Sequence, residues 1–312
     1  MKRKNKVPVA DFKLEYAGES VGVQGASRWR VNIIKERFVF ILLRLAMLMV
    51  LLAILYIFYD LTSKGIGAIS WEFLTQSPRS GMTEGGILPA ILGTIYVTFI
   101  TAVASFPLGV FTAIYLNEYA RKNYFTRLVR LAIRNLAGVP SIVYGLFGVA
   151  LFVQAMNIGA SIFSAGLTLG LLTLPVTITA SEEALKAVPD SYREGALALG
   201  ASKWQSIRTN VLPSAIPGIM TGLILGLSRA AGETAPILFT GAAFFLPRLP
   251  ASVFSRFMAL PYHLYIMATQ HHSPSVVRPL AYGTALVLIL LVLGLNFTAI
   301  FLRSHFRRKM KR

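Results

Sequence analysis

The sequence lacks cysteine and has few acidic residues, with 13 Asp and Glu among 312. The absence of cysteine excludes a disulfide framework, thiol catalysis and a Cys-ligated metal. Charged residues of both signs make up only 14% of the chain, whereas about 25% is usual in soluble domains. Hydrophobic residues make up 55%, which excludes a disordered chain and argues against a soluble enzyme.

Motifs for nucleotide, metal or acyl chemistry are also absent. The sequence contains no phosphate-binding G-x-x-x-x-G-K-[ST], no G-x-G-x-x-G, no H-E-x-x-H zinc motif and no G-x-S-x-G nucleophile elbow. We therefore expect no catalytic residue, no metal site and no cofactor in this chain. If the protein moves a solute, the energy must come from a partner or from an ion gradient.

Apolar stretches long enough to cross a membrane occur six times, given that a spanning helix needs about 20 mostly apolar residues. The predicted spans are 38–59, 87–117, two crossings within 135–181 that turn near 157–159, 213 to about 237, and 279–302. The pattern predicts an all-α membrane protein with six transmembrane helices.

Basic residues indicate how the spans are oriented. Lys and Arg number 31, for a formal net charge of +18. With an inside N-terminus, the inward segments hold 24 of these 31 residues and the outward segments 60–86 and 238–278 hold 5. Because cytoplasmic segments collect Lys and Arg, this split predicts that both termini are inside. It also explains the net charge without a nucleic-acid partner.

This orientation divides the chain into regions. They are a basic cytoplasmic arm at 1–37, a transmembrane domain at 38–302 and a basic cytoplasmic tail at 303–312. An external connection at 238–278 is expected to carry short helices on the outer face. For its adjacent His271 and His272 we expect solvated loop positions rather than a metal site, because no third ligand is evident.

The cytoplasmic connection 182–212 carries the most informative local pattern. Two pairs have capping-box spacing, Ser191 with Glu194 and Ser202 with Gln205. In such a box the two side chains cap each other's backbone amides, so each pair predicts the start of a helix. We expect a first helix at about 192–199 and a second that ends at about 210, before Pro213 opens the fifth span.

An apolar stripe on the first of these helices must be covered by something. Tyr192, Ala196 and Leu199 lie at i, i+4 and i+7, and Gly200 follows at the place of a C-terminal stop. The stripe packs either on the protein's own cytoplasmic surface or in a groove on a separate subunit. The sequence pattern alone leaves both alternatives open.

The same loop resembles the EAA motif of ABC importer permeases. It reads Glu194-Gly195-Ala196-x-x-x-Gly200, then nine residues, then Asn210-x-Leu212-Pro213. The family pattern is E-A-A-x-x-x-G, nine residues and I-x-L-P, so this chain departs at Gly195 and Asn210 but keeps the spacing. In that family the loop docks in the ATPase subunit. The resemblance assigns this docking to Tyr192, Glu194, Gly195, Ala196, Leu199 and Gly200.

Three further segments are similar to PstA-type phosphate permeases, which are type I ABC importers. These segments are 84–94, 137–147 and 229–240. The resemblance covers roughly residues 60–305 and implies the type I permease fold in a bacterial or archaeal cell membrane. It also implies a second permease of the PstC type, a pair of ATPase subunits that bind ATP and Mg, and an extracytoplasmic phosphate-binding protein.

Two charges, Arg229 and Glu233, lie inside the fifth predicted span. On a helical wheel they share one narrow face with Gly218, Gly222 and Gly226. Because an ionisable group at mid-membrane costs about 2.5–3.5 kcal/mol, the pair is a functional candidate. It either locks helices together or lines the substrate pathway, where Arg229 would bind phosphate and Glu233 would orient the guanidinium.

Hydroxyl side chains in the second and fourth predicted spans are further polar groups within the membrane. Thr94, Thr98, Thr101 and Ser105 form one stripe on the second span, for which we expect helix packing with hydroxyls bonded to the backbone. At the end of the fourth span, Thr179 stands where the similar permeases often have an arginine. Whether Thr179 replaces a functional arginine is left open by the sequence.

The leading hypothesis is a phosphate permease subunit of an ATP-driven importer that works by alternating access. A permease for another oxyanion, such as sulfate, molybdate or phosphonate, is the nearest alternative, because a charged pair does not distinguish these anions. An ion-coupled carrier that works alone is a third reading. The EAA-like loop and the lack of an obvious inverted repeat argue against that carrier.

Overall fold

The computed structural model describes residues 23–309, and these residues are mostly helical. The α-helices are α1 (Val23–Gly65), α2 (Trp71–Thr75), α3 (Leu88–Ile114), α4 (Tyr124–Leu136), α5 (Ser141–Gly148), α6 (Ile162–Lys186), α7 (Ser191–Ala198), α8 (Lys203–Ser206), α9 (Leu212–Gly232), α10 (Ala235–Thr240), α11 (Leu260–Thr269) and α12 (Pro274–Lys309). π-Helical segments at Tyr115–Tyr119, Val149–Ala155 and Ile207–Val211 continue α3, α5 and α8. Strands β1 (Pro78–Arg79) and β2 (Glu84–Gly85) pair antiparallel.

The described part of the chain divides into two units, one that ends at residue 58 and one that begins at residue 59. In the first unit, the predicted span at 38–59 lies within α1, and its side chains are exposed. Exposed apolar side chains along a whole helix suit contact with lipid. The predicted cytoplasmic arm at 1–37 lies largely outside the described residues, because the backbone is described from residue 23 and side chains from residue 35.

In the second unit, four long helices match predicted spans, namely α3, α6, α9 and α12. The third predicted span differs from expectation. It consists of α5 and its π-helical continuation, 8 and 7 residues long, and it is bent by 102° from α4. Pro140 precedes α5 with an extended ψ of 140°, and a proline lacks the amide that would continue the α4 hydrogen-bond ladder. Among the described residues of both units, five helices including α1, or six if the bent pair counts as one, are long and apolar enough to cross a membrane.

The core of the second unit is built on α6, which packs against α3 on one side and α9 on the other. The glycine stripe of α9 faces α6, since a Cβ added at Gly218 or Gly222 would collide with Ala184 or Ala180. At Gly218 and Gly222 the structure therefore shows close helix packing. Absent side chains let the two backbones approach each other.

The hydroxyl stripe of α3 lies at the same core and confirms the packing interpretation. Thr94, Thr98, Thr101 and Ser105 are all buried. The three threonine hydroxyls donate to the backbone carbonyl four residues earlier, at 2.7–2.8 Å. Thr101 also donates to the carbonyl of Gly166 on α6, at 3.2 Å. These hydroxyls thus satisfy themselves within the helix and leave the interface closely packed.

In the connection at 238–278, residues 257–267 are mostly buried and residues 247–256 are mostly exposed. The expectation that the short helices lie on the surface is therefore wrong for α11. Phe257, Leu260 and Ile266 have no exposed surface. The amide of Leu260 donates to the Thr94 hydroxyl at 2.9 Å, and a Cβ at Gly93 would collide with the Met258 carbonyl. The predicted short helices do occur, as α10 and α11. Each places an apolar side chain in the core, Ile237 from α10 and Ile266 from α11, and the missing side chain at Gly93 of α3 makes room for the segment before α11.

The solvated position expected for the loop histidines is wrong for His271. Its side chain is buried, its Nδ1 accepts from the amide of Ser273 at 3.1 Å, and its Nε2 lies 2.8 Å from the carbonyl of Gly81. Because Nδ1 is an acceptor, Nε2 carries the proton and donates it. His271 therefore ties the start of α12 to the β1–β2 turn, and its ring nitrogens are occupied.

The α6–α9 contact predicts that the bundle does not tolerate a side chain at Gly222. Gly222→Ala should lower the free energy of unfolding by about 1–3 kcal/mol, because the methyl group overpacks the contact with Ala180. Gly232→Ala on the same helix is the matched control, because nothing lies within 4 Å of its added Cβ. Thermal unfolding of the purified proteins in detergent measures both. Equal midpoints for the two variants would contradict the packing argument.

Candidate functional site

The loop between α6 and α9 begins with α7, whose N-terminus differs from the prediction. The N-cap residue is Asp190, and no side chain caps the helix. The predicted capping box of Ser191 with Glu194 is therefore wrong, since Ser191 is already the first helical residue. The helix itself runs one residue earlier than predicted at each end. Without a cap, α7 depends on tertiary contacts for its stability.

The second capping box is confirmed at the start of α8. Ser202 accepts from the amide of Gln205, and Gln205 accepts from the amide of Ser202 at 2.7 Å. The expected separate second arm is not seen, because α8 continues through the π-helical segment Ile207–Val211 directly into α9. The second half of the loop is therefore an extension of the fifth span.

The apolar stripe of α7 is not covered by the described part of the chain. The exposed fraction is 51% for Tyr192 and 91% for Leu199, and Ala196 is partly exposed. Glu194 and Gly195 are also exposed. Of the two alternatives left open by the sequence, packing on the protein's own surface is thus contradicted for Tyr192 and Leu199. An exposed apolar stripe on a short helix suits docking in the groove of another protein.

Gly200 closes α7 with a left-handed backbone. Its φ is +82°, and its amide donates to the carbonyl of Leu197 at 3.0 Å. A non-glycine residue pays for this conformation with a clash between its Cβ and the neighbouring carbonyl. Nothing lies within 4 Å of a Cβ at Gly200. Glycine is required here by the turn and not by a close approach within this chain.

Arg193 is a residue of this loop that the sequence analysis did not single out. Its guanidinium donates to Glu118 at 2.8 Å, to the carbonyls of Leu185 and Val188 at 2.9 and 2.8 Å, and to Asp190 at 3.2 Å. The hydrogen bond to Glu118 raises the pKa of Arg193 above its ordinary value. Only the position of Arg193 beside the motif residue Glu194 pointed to it, because its partner Glu118 lies 75 residues away.

The second candidate site is the pair of Arg229 and Glu233, and here the helical-wheel prediction is partly wrong. Helix α9 ends at Gly232, and Glu233 is its C-cap with an extended backbone, φ −73° and ψ 137°. The two side chains still meet, with Nε of Arg229 3.2 Å from Oε1 of Glu233. The break places Glu233 in the short link between α9 and α10 rather than on the glycine face.

The pairing of Arg229 leaves part of its guanidinium available. No described residue accepts a hydrogen bond from either terminal nitrogen, and 43% of the side-chain surface is exposed. A guanidinium presents a planar fork of donors that matches an oxyanion. The pair therefore joins the end of α9 to the link, and the guanidinium of Arg229 keeps terminal N–H donors without a partner among the described residues.

Thr179 lies in a pocket of about 380 Å³ whose other walls are mostly charged. The charged lining residues are Arg130, Arg134, Glu182, Glu183 and Lys186. The hydroxyl of Thr179 donates to the Pro175 carbonyl of its own helix at 2.8 Å, and Arg130 and Lys186 both pair with Glu182. The cations near this position thus come from α4 and from the end of α6. The hydroxyl proton of Thr179 is already used in the hydrogen bond to Pro175.

Comparison with curated proteins connects the chain to transport permeases. It is 35% identical over 266 residues to the phosphate transport system permease protein PstA 1 of Mycobacterium tuberculosis. The alignment covers 84% of this chain and 85% of that protein. It is 34% identical over 258 residues to the probable ABC transporter permease protein YqgI of Bacillus subtilis, with coverage of 79% and 87%.

Solved structures show the same fold. The chain is similar to a chain of a bacterial ABC transporter involved in the import of alginate, with a TM-score of 0.64, 13% identity and coverage of 89% and 99%. It is also similar to a chain of the MetNI methionine ABC transporter, with a TM-score of 0.57, 18% identity and coverage of 70% and 95%. The predicted all-α fold of an ABC importer permease is confirmed.

The family model described as "Binding-protein-dependent transport system inner membrane component" matches residues 105–312. The matched part includes α5, α6, the loop with α7 and α8, and α9, so it covers both candidate sites. Several apolar helices agree with a multi-pass protein of the inner membrane. The chain belongs to the family of inner membrane components of binding-protein-dependent transport systems.

Proposed function

We propose that this chain is the permease subunit of an ATP-driven importer of inorganic phosphate, in which it forms half of the translocation pathway. One observation carries the proposal. The relative named a phosphate transport system permease aligns over 84% of this chain, so the likeness extends through the α7 loop and the Arg229–Glu233 pair.

The proposed orientation places both termini and the α7 loop in the cytoplasm. Its support is the distribution of basic residues, because 24 of the 31 Lys and Arg fall in the segments that this orientation puts inside. The connection that carries α11 then faces the external phosphate-binding protein. A cytoplasmic α7 faces the compartment that supplies ATP.

In the proposed complex, α7 docks in a groove of an ATPase subunit. The exposed side chains of Tyr192, Ala196 and Leu199 form the apolar contact, and Glu194, Gly195 and Gly200 complete the docking surface. ATP and Mg bind to the ATPase pair and not to this chain, which has no P-loop. The second permease is of the PstC type, and this pairing rests on the family resemblance alone.

Arg229 and Glu233 are proposed to line the substrate pathway. The terminal nitrogens of Arg229 donate to phosphate, while Glu233 holds Nε and fixes the plane of the guanidinium. The carboxylate also weakens the attraction, because it opposes an incoming anion. A transport site needs this balance, since a substrate that binds too tightly is released slowly.

Transport is proposed to follow alternating access. ATP binding closes the ATPase pair, moves the docked α7, and opens the pathway towards the binding protein. Hydrolysis returns the permease to the inward-facing state.

Proteoliposomes that hold the whole complex test the substrate, with sulfate, molybdate and phosphonate as competitors. Uptake of phosphate that requires ATP and resists these anions supports the proposal. ATP hydrolysis without phosphate uptake would overturn the substrate and keep the importer class.

The pathway role predicts the effect of removing the Arg229 charge. Arg229→Gln should reduce ATP-dependent phosphate uptake by about ten-fold or more, because charge-assisted hydrogen bonds to the anion are lost. Arg229→Lys should be intermediate, since it keeps the charge but loses the planar fork. Radiolabelled phosphate uptake measures both. Arg37→Gln, at an exposed arginine of α1, is the control, and normal uptake by Arg229→Gln would remove Arg229 from the pathway.

The turn at Gly200 predicts a separate effect on docking. Gly200→Val should reduce stimulation of the ATPase by the binding protein several-fold, because a β-branched residue strains a φ of +82° and misplaces the end of α7. Gly294→Ala on α12 is the control, since it lies outside the docking surface and no described atom lies within 4 Å of its added Cβ. ATPase assays on assembled complexes measure both. Unchanged stimulation in Gly200→Val would show that the turn is dispensable.

A further inference from the structure

The π-helical end of α3, Tyr115–Tyr119, is the place where the loop and α4 meet. We term this segment the joint. Side chains reach it from three other elements: Arg193 from α7, Lys203 from α8 and Arg130 from α4. Short π-helical segments inside longer helices are rare and occur often at functional sites. Here the irregular turn belongs to neither candidate site described above.

The contact from α7 is an ion pair with several hydrogen bonds. Nη2 of Arg193 donates to Oε1 of Glu118 at 2.8 Å, and Nε lies 3.3 Å from both carboxylate oxygens. Only 6% of the Glu118 side chain is exposed. The same guanidinium also donates to the carbonyl of Leu185 in the last turn of α6 and to the carbonyl of Val188 just after it. One side chain therefore joins α7, the joint and α6.

This arginine is the principal tie between α7 and the bundle. Helix α7 has no buried residue. Among the described residues, every side-chain hydrogen bond from α7 to another element is made by Arg193. The surface of α7 that faces away from the bundle is the exposed apolar stripe. A displacement of α7 by a docked protein is thus passed on by Arg193 in addition to the chain connections to α6 and α8.

Two further contacts link the joint to α8 and α4. Nζ of Lys203 lies 5.0 Å from the ring centroid of Tyr119, within the range of a cation–π interaction. Arg130 donates to the carbonyl of Leu116 at 2.7 Å and pairs with Glu182 of α6. Since α4 is joined to α5 through the 102° bend, the joint connects the loop with the shortest of the candidate spans.

Stability alone is a poor explanation for this arrangement. Removing two charges from water costs about as much as their attraction returns, so a buried ion pair is weak evidence for stabilisation. What the pair does provide is a fixed register between elements that no local sequence pattern holds together. The pair lies between α7, the proposed docking helix, and the joint, which contacts α4 and through it the bend into α5. A fixed register at this place can pass a movement from α7 to α4.

We propose that Glu118 and Arg193 are positioning residues that make α7 and the joint move as one body, so that displacement of α7 by the ATPase reaches α4 and α5. The inference rests on the proposed function, since it needs an ATPase that docks on α7. It adds a transmission path between the docking surface and the helices of the pathway. Neither residue contacts ATP or phosphate in this scheme.

The ratio of phosphate transported to ATP hydrolysed, measured in proteoliposomes with the complete complex, tests this path. Glu118→Gln should lower the ratio at least about five-fold, the lower end of common coupling effects, while the complex assembles and hydrolyses ATP. Asp190→Asn is the matched control. Its carboxylate binds the same arginine, but it is 86% exposed and lies next to α7, so its removal should leave the ratio unchanged.

A rescue experiment separates transmission from folding. The chain has no cysteine, so the double variant Glu118→Cys with Arg193→Cys can be bridged with a bifunctional thiol reagent whose spacer replaces the lost side chains. The unbridged variant should show the low ratio, and bridging should restore most of it.

Each outcome of these measurements decides between the proposals. A lowered ratio in Glu118→Gln that bridging of the double variant repairs supports the joint as the transmission path. A normal ratio in Glu118→Gln, with phosphate uptake by the wild-type complex, would overturn the inference and leave the proposed function standing. Absence of ATP-dependent phosphate uptake in the wild-type complex would overturn both. A low ratio that bridging does not repair would overturn the role of the pair as a tether.

Discussion

The close approach of α3 and α9 to α6 is the constraint on which the rest of the second unit depends. In a bilayer the helices gain nothing from burying apolar side chains against each other rather than against lipid, so packing must come from close backbone contact. Gly218 and Gly222 provide it against Ala184 and Ala180. The hydroxyls on α3 are compatible with it because they bond to their own helix. With α6 enclosed in this way, its last turn is a fixed base for the α7 loop.

Breaks in helical regularity mark the places where this rigid core meets the candidate sites. Helix α9 stops at Gly232, which puts Glu233 into an extended link beside Arg229. Helix α3 ends in the π-helical joint, and α4 turns by 102° into α5. Long regular helices are what a membrane demands of the backbone. Departures from them require local compensation, and here side chains such as Arg130 bind the freed carbonyl groups.

Acidic residues are few, and those within reach of arginine are used to position it. Glu118, Glu182 and Glu233 each hold one arginine, on α7, α4 and α9 respectively. A carboxylate fixes the plane of a guanidinium more strongly than a neutral acceptor does. The three pairs share this chemistry but differ in exposure, because Arg229 keeps free donors whereas Arg193 has a partner for each of its nitrogens. The same type of pair thus suits both the proposed pathway role of Arg229 and a structural contact between helices.

The sequence by itself determined the helical membrane fold, most spans, the hydroxyl face of α3, the capping box at Ser202 and the turn at Gly200. These features follow from apolar length, helical period and backbone preference, which act over a few residues. Only the tertiary structure decided that α10 and α11 insert into the core, that Glu233 lies outside α9, and that Arg193 binds Glu118. Contacts between residues far apart in the chain depend on how the helices pack, and no local pattern records that geometry.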